Sequence, residues 1–179
     1  MPPITKIRLR RPTVRSLLKE SDAGCIILAA AVLDHILERL HEAHVASNLT
    51  GLHPPKAFFQ QSLAGNYCPL STLAGKINIA YGYGLISQDE FDALNTVRKL
   101  RNKAAHCAFE FSFRDRGVTA LISTLATKER TKEAFFALED LPRFSTIPAP
   151  KRDFILVADR LIRNLKRKLN ETCGSVLTH

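Results

Sequence analysis

Arg101, Asn102 and His106 are three neighbouring side chains whose types together can do chemistry, within the segment Arg101-Asn102-Lys103-Ala104-Ala105-His106. A guanidinium binds a phosphate through two parallel hydrogen bonds and stabilises charge developing on it. An imidazole takes and gives protons near neutral pH. An amide four residues before a histidine on a helix can hold its ring in one tautomer. This set suits metal-independent cleavage of an RNA backbone, with Arg101 on the phosphate, Asn102 in support and His106 moving the proton. Five residues, however, advance a helix by roughly 140° beyond a full turn, so Arg101 and His106 do not share a face. They converge only where the helix loosens at its end, or where two copies of the segment meet across a dimer. A second pair with the same spacing, Arg39 and His44, lies mid-helix with Leu40 after the arginine, and carries less weight.

The element that must position this set is a helix over residues 87–106. Ser87 is a good N-cap, and Asp89 and Glu90 place negative charge in the first turn. Phe91, Leu94, Val97, Leu100 and Ala104 then recur at helical spacing. At about 100° per residue Arg101 falls between Leu94, Val97, Ala104 and Ala105, in the middle of the apolar face. A guanidinium there must face a cavity or an interface, or pair with a buried acid such as Asp34 or Glu38. In that last arrangement Arg101 and His106 are structural.

The remaining segments read as further helices. Residues 1–15 form a basic, proline-bearing arm, a mobile tail able to contact phosphate. Residues 16–46 give the longest helix, nearly all apolar from Cys25 to Leu33, with a cap or break at Ser21-Asp22. Asp34, Glu38 and His41 share one face of it, with Glu42 and His44 nearby; an outer face is the commoner setting for such a set than a metal centre, and no metal is assigned. A loop over 47–56 leads to a short helix around 57–63. Pro69 opens another helix that Gly84 closes, with Gly82 read as a close helix contact. The glycines beside Tyr81 and Tyr83 stand at a helix end, the wrong place for a phosphate loop. Phe109, Phe111 and Phe113 alternate with polar residues, which predicts one short extended strap. Residues 116–138 add one or two helices, 139–150 a proline-rich linker, and 151–170 a basic amphipathic helix within a C-terminal segment packing on the 16–138 core. The expectation is an all-α bundle of five to seven helices.

The formal net charge of +9 is concentrated near the two ends of the chain. An anionic partner fits that balance, with Arg8, Arg10 and Arg11 of the arm and Arg163, Lys166 and Arg167 of the final helix as candidate nucleic-acid contacts; solvated, solubilising faces are the plain alternative. The longest apolar run, Ala23 to Leu33, is too short to span a bilayer. No secretory signal is present, and Cys25, Cys68, Cys107 and Cys173 show no metal spacing, which together predict reduced thiols and a cytoplasmic protein. No cofactor is implied. No second helix rich in base-reading residues follows a tight turn, which argues against a helix-turn-helix.

The Arg-Asn-x-x-x-His pattern resembles the signature of the HEPN superfamily, whose members are all-α, commonly dimeric, and in many cases metal-independent ribonucleases acting as toxins or defence effectors. That resemblance implies phosphate contact for Arg101, support from Asn102, proton transfer by His106, and a homodimer. A longer resemblance rests on Pro69-Leu70, Leu73, Lys76-Ile77, Tyr81-Gly82, Gly84-Leu85-Ile86, Asp89-Glu90 and Leu100-Arg101 to His106. Across residues 21–125 these are similar to the mannitol operon repressor family, which is all-α and lacks a DNA-reading element. It implies a non-enzymatic regulator acting through a protein partner. The Arg-Asn pair departs from that family, where an acidic neighbour is familiar, and leans towards the nuclease pattern. Two expectations therefore stand side by side: an endoribonuclease and a regulator.

Overall fold

Pro12 begins the first helix, inside the segment expected to be an arm. In the computed structural model, which describes residues 12–48, 69–107, 110–128 and 146–176, the elements are α1 (Pro12–Lys19), α2 (Asp22–Asn48), α3 (Leu73–Gly82), α4 (Gln88–His106), α5 (Arg116–Lys128) and α6 (Ala149–Val176). A single 3-10 turn, Pro69–Ser71, precedes α3. No strand occurs among the described residues, and helices hold more than half of the chain, so the all-α bundle expectation holds. No helix among these residues is long and apolar enough to cross a membrane. Residues 1–11, the helix expected at 57–63, the end of the 116–138 segment and most of the 139–150 linker lie outside the described residues.

The long helix expected over 16–46 is two helices. Proline has no backbone N–H to leave unbonded and so suits the first position of α1. Val14 and Leu17, three apart, are buried. Ser21 then caps α2: its hydroxyl accepts from the Gly24 N–H at 3.1 Å and its carbonyl from the Cys25 N–H at 2.9 Å.

Contacts divide the chain into two compact units, to both of which α2, α4 and α6 contribute. One unit takes residues 12–31, 92–107, 110–128 and 146–161. Its core sets Phe113 against Phe154, ring centroids 5.7 Å apart, with Phe111 edge-on to Phe113 at 6.0 Å. Leu94, Val97, Leu100 and Ala104 of α4 are all buried, as their spacing requires. Each such leucine contributes about 1.5–3 kcal/mol of transfer free energy. The strap between α4 and α5 is a turn-rich connection. Of its period-two pattern, Phe111 and Phe113 are buried while Glu110 and Arg114 are exposed, and Phe109 lies outside the described residues. Asp22 fastens it, its carboxylate accepting from the Phe113 N–H at 3.1 Å and from Lys151 Nζ at 3.3 Å. Lys151 also donates to the Glu20 carbonyl at 2.7 Å.

The other unit takes residues 32–48, 69–91 and 162–176, with Ile36, Leu37, Leu40, Ile77 and Leu165 fully enclosed. Thr72 caps α3, accepting from the Gly75 N–H at 3.0 Å. The helix ends as Gly84 predicts. Gly84 takes φ +68, its N–H donates to the Tyr81 carbonyl at 2.9 Å, and the Leu85 N–H donates to the Ala80 carbonyl at 2.8 Å. That paired return is a Schellman stop, which needs a residue tolerant of the left-handed region. Gly82 does not make the close contact expected of it: a Cβ there would meet nothing within 4 Å.

Candidate functional site

Arg101, Asn102 and His106 occupy the last one and a half turns of α4. The Arg101 guanidinium is in solvent, contrary to the wheel, and its Nη1 donates to Asn102 Oδ1 at 3.2 Å. The wheel assigned the right angle to the wrong height. Leu94, on the same side two turns earlier, is buried, but cover on that side stops before the last turn, where Ala105 is exposed as well. Asp34 and Glu38, the acids offered to it, bind Lys76 instead. His106, the final residue of the helix, is exposed, and the Asn102 amide oxygen faces the guanidinium rather than the imidazole. The three groups are thus all reachable by a solute.

The acids expected on an outer face of α2 have another partner. Lys76 of α3 donates to Asp34 Oδ2 at 2.9 Å and to Glu38 Oε2 at 2.8 Å, its side chain only 4% exposed. One turn further on, the His41 ring, buried at 2% exposure, donates from Nε2 to the Lys76 carbonyl at 2.9 Å. A carbonyl only accepts, so that nitrogen carries the hydrogen. Burial alone would pull the Lys76 ammonium down, but its hydrogen bonds to Glu38 and Asp34 prevail and hold it above its ordinary value. Among the described residues no group of three or more His, Cys, Asp or Glu side chains is placed to hold a metal. The ammonium already sits between the two carboxylates.

Burial drives the His41 pKa below its ordinary value of 6.5, and the nearby charges of His44 and Lys76 add to the effect, against the bond to the Lys76 carbonyl. As pH falls through 6.5 an unfolded imidazole takes a proton that the folded ring resists. Stability is therefore full above that pH and declines below it, until the folded ring itself titrates. Urea unfolding between pH 7.5 and 5 should show this decline, and His41→Gln, which keeps an N–H donor but cannot titrate, should flatten it. An identical slope in His41→Gln would assign the decline to other groups.

Of the candidate nucleic-acid contacts, Arg163 and Arg167 are exposed, Lys166 is half-buried, and Arg167 reaches Glu171 at 3.3 Å. Arg8, Arg10 and Arg11 lie outside the described residues. Two lysines of the same final helix are internal ties. Lys151 binds the start of α2, and Lys168 donates to Glu90 Oε2 at 2.6 Å and to the Leu85 carbonyl at 3.0 Å. Cys25 is buried, with its thiol pushed up to about 12 by loss of solvent, and so is no nucleophile. On the surface of the second unit Tyr83 is 63% exposed and Tyr81 41%. Tyr83 tilts against His44 at 5.2 Å and Tyr81 against Phe91 at 4.6 Å.

No protein-family model and no curated protein matches this sequence. Among solved structures, the chain is similar to one in the X-ray structure of the MtlR-HPr complex from Escherichia coli, at 16% identity and a TM-score of 0.62, covering 87% of this chain and 99% of that one. At that identity the likeness is one of fold.

Proposed function

We propose that this chain is a non-enzymatic regulator of the mannitol operon repressor type, acting by binding a small protein partner. The observation that carries this is the fold likeness over nearly the whole of a chain found in complex with HPr. It agrees with the sequence resemblance across residues 21–125. The exposed Tyr81 and Tyr83, rigid aromatic side chains with polar tips, suit the anchor positions of such a contact. Titration calorimetry with HPr is the test. The expected result is saturable binding near one to one with a dissociation constant of about 10 µM or tighter, weakened at least tenfold by Tyr83→Ala. Absence of heat at about 100 µM would remove HPr as the partner.

A second reading, a metal-independent endoribonuclease, is favoured by the exposure of Arg101 and His106, with the half-buried Asn102 between them, at one helix end. Arg101 would hold the scissile phosphate, already oriented by Asn102, and His106 would move the proton. In this reading a homodimer brings two segments together, with Arg8, Arg10, Arg11, Arg163, Lys166 and Arg167 adding phosphate contacts. Cleavage should survive a chelator and leave a 2′,3′-cyclic phosphate. His106→Ala should lower the rate by at least about a hundredfold with no change in melting, since the ring is exposed. Cleavage undiminished in His106→Ala would end this mechanism.

A further inference from the structure

We infer that the outward side of α4, together with the start of α5, binds the phosphate backbone of double-stranded DNA without regard to sequence. From Asn95 to His106 the helix contains no acid, yet it carries Arg98, Lys99, Arg101 and Lys103. The last three are exposed. Lys103 lies against the first turn of α5, where a Cβ on Gly117 would come within 3.2 Å of its Nζ; the exposed Arg116 opens that turn and the exposed Arg114 precedes it, with one exposed acid, Asp115, between them. Stabilisation of the helix C-terminus accounts for Lys103 and His106 in the last turn, but that effect fades within one turn and does not reach Lys99.

The chemistry of the surface selects the occupant. A protein interface needs aromatic or apolar anchors, and single strands need aromatic platforms for stacking. The large exposed hydrophobic side chains among the described residues are Ile27, Tyr81 and Tyr83, none of them on α4 or α5. RNA duplexes are recognised through 2′-hydroxyls together with phosphates across the minor groove, so the RNA competitor below is the arm that separates the two duplexes. A second copy would set cations against cations. Asn95, Arg98 and Asn102, between the charged flanks, are half-buried, so the helix does not reach a groove floor and contact stops at the backbone. The inference requires neither HPr nor cleavage, and it competes with the homodimer of the second reading for the same helix end.

Fluorescence anisotropy of the full chain with a labelled mixed-sequence DNA duplex, from 50 to 200 mM salt, is the test. Each phosphate contact contributes about −0.9 to the slope of log affinity against log salt. Lys99→Ala/Arg101→Ala/Lys103→Ala should reduce the steepness by about 2.7 and weaken binding at least tenfold at the lowest salt. Lys19→Ala, an equally exposed cation on α1, should leave the slope unchanged. The triple variant removes only exposed side chains, so its melting temperature should match the parent. An unchanged slope in that variant would overturn the inference. So would an RNA duplex, or an acidic polypeptide, displacing the DNA at lower charge concentration than unlabelled DNA.

Discussion

Lys76→Ala should lower the unfolding free energy by about 3 kcal/mol in urea at pH 7. Removing one partner of a buried ion pair leaves the others uncompensated, at a typical cost of about 3–5 kcal/mol. Asp34 and Glu38 are 35% and 32% exposed and keep part of their hydration, which places the effect at the low end. Two companions separate charge from volume. Lys76→Met refills the space but still leaves two carboxylates without their cation, so it should remain destabilised. Adding Asp34→Asn and Glu38→Gln to Lys76→Met should recover most of the loss, because a neutral set needs no counter-charge. The parent also carries a pH signature. The Lys76 pKa is raised in the folded state, so the contribution is complete below 10.5 and disappears as pH climbs through the raised value. Lys76→Met should lack that alkaline loss. A fall of under about 1 kcal/mol in Lys76→Ala would mean that this ammonium does not join α2 to α3.

The elements of this fold were legible where the signal is local. Ser87 as an N-cap, Gly84 after an apolar run, and Leu94, Val97, Leu100 and Ala104 at helical spacing each depend only on near neighbours along the chain, and each stands in the structure as read. Arg101 shows where that reasoning ends. A wheel supplies an angle, but burial also depends on how far along the helix its neighbours extend. Lys76, Lys151 and Lys168 show a second limit. A lysine has four methylenes that bury readily and one charge that needs an acceptor. Whether it is a surface cation or an internal tie depends on a residue distant in sequence, such as Asp34, 42 positions before Lys76. His41 was missed for the same reason, since its acceptor is a backbone carbonyl on another helix. The exposed site residues were legible as chemistry but not as geometry. Nothing in the spacing of Asn102 and His106 indicates that the amide turns to the adjacent guanidinium.

Glu90→Ala should cost about 3 kcal/mol, although Glu90 reads as an ordinary first-turn acid. Its carboxylate, only 6% exposed with the rest of the residue, accepts from the Ser87 N–H at 2.8 Å, while the Glu90 N–H reaches the Ser87 hydroxyl at 3.3 Å. These reciprocal bonds form a capping box, which supplies partners to backbone donors that the helix start leaves unpaired. The same Oε2 takes the Lys168 ammonium at 2.6 Å, and Lys168 also holds the Leu85 carbonyl just before the cap. Loss of the cap alone is worth about 1 kcal/mol, the value expected for Ser87→Ala. The larger part comes from stranding a half-buried ammonium with a single carbonyl. Glu90→Gln keeps an acceptor but no charge and should fall between. Glu90→Ala combined with Lys168→Met should recover the ionic part and retain the capping loss, giving a coupling of about 2 kcal/mol in a double-mutant cycle. A coupling near zero, with Glu90→Ala no worse than Ser87→Ala, would show that Glu90 acts as a cap alone and that Lys168 finds water instead.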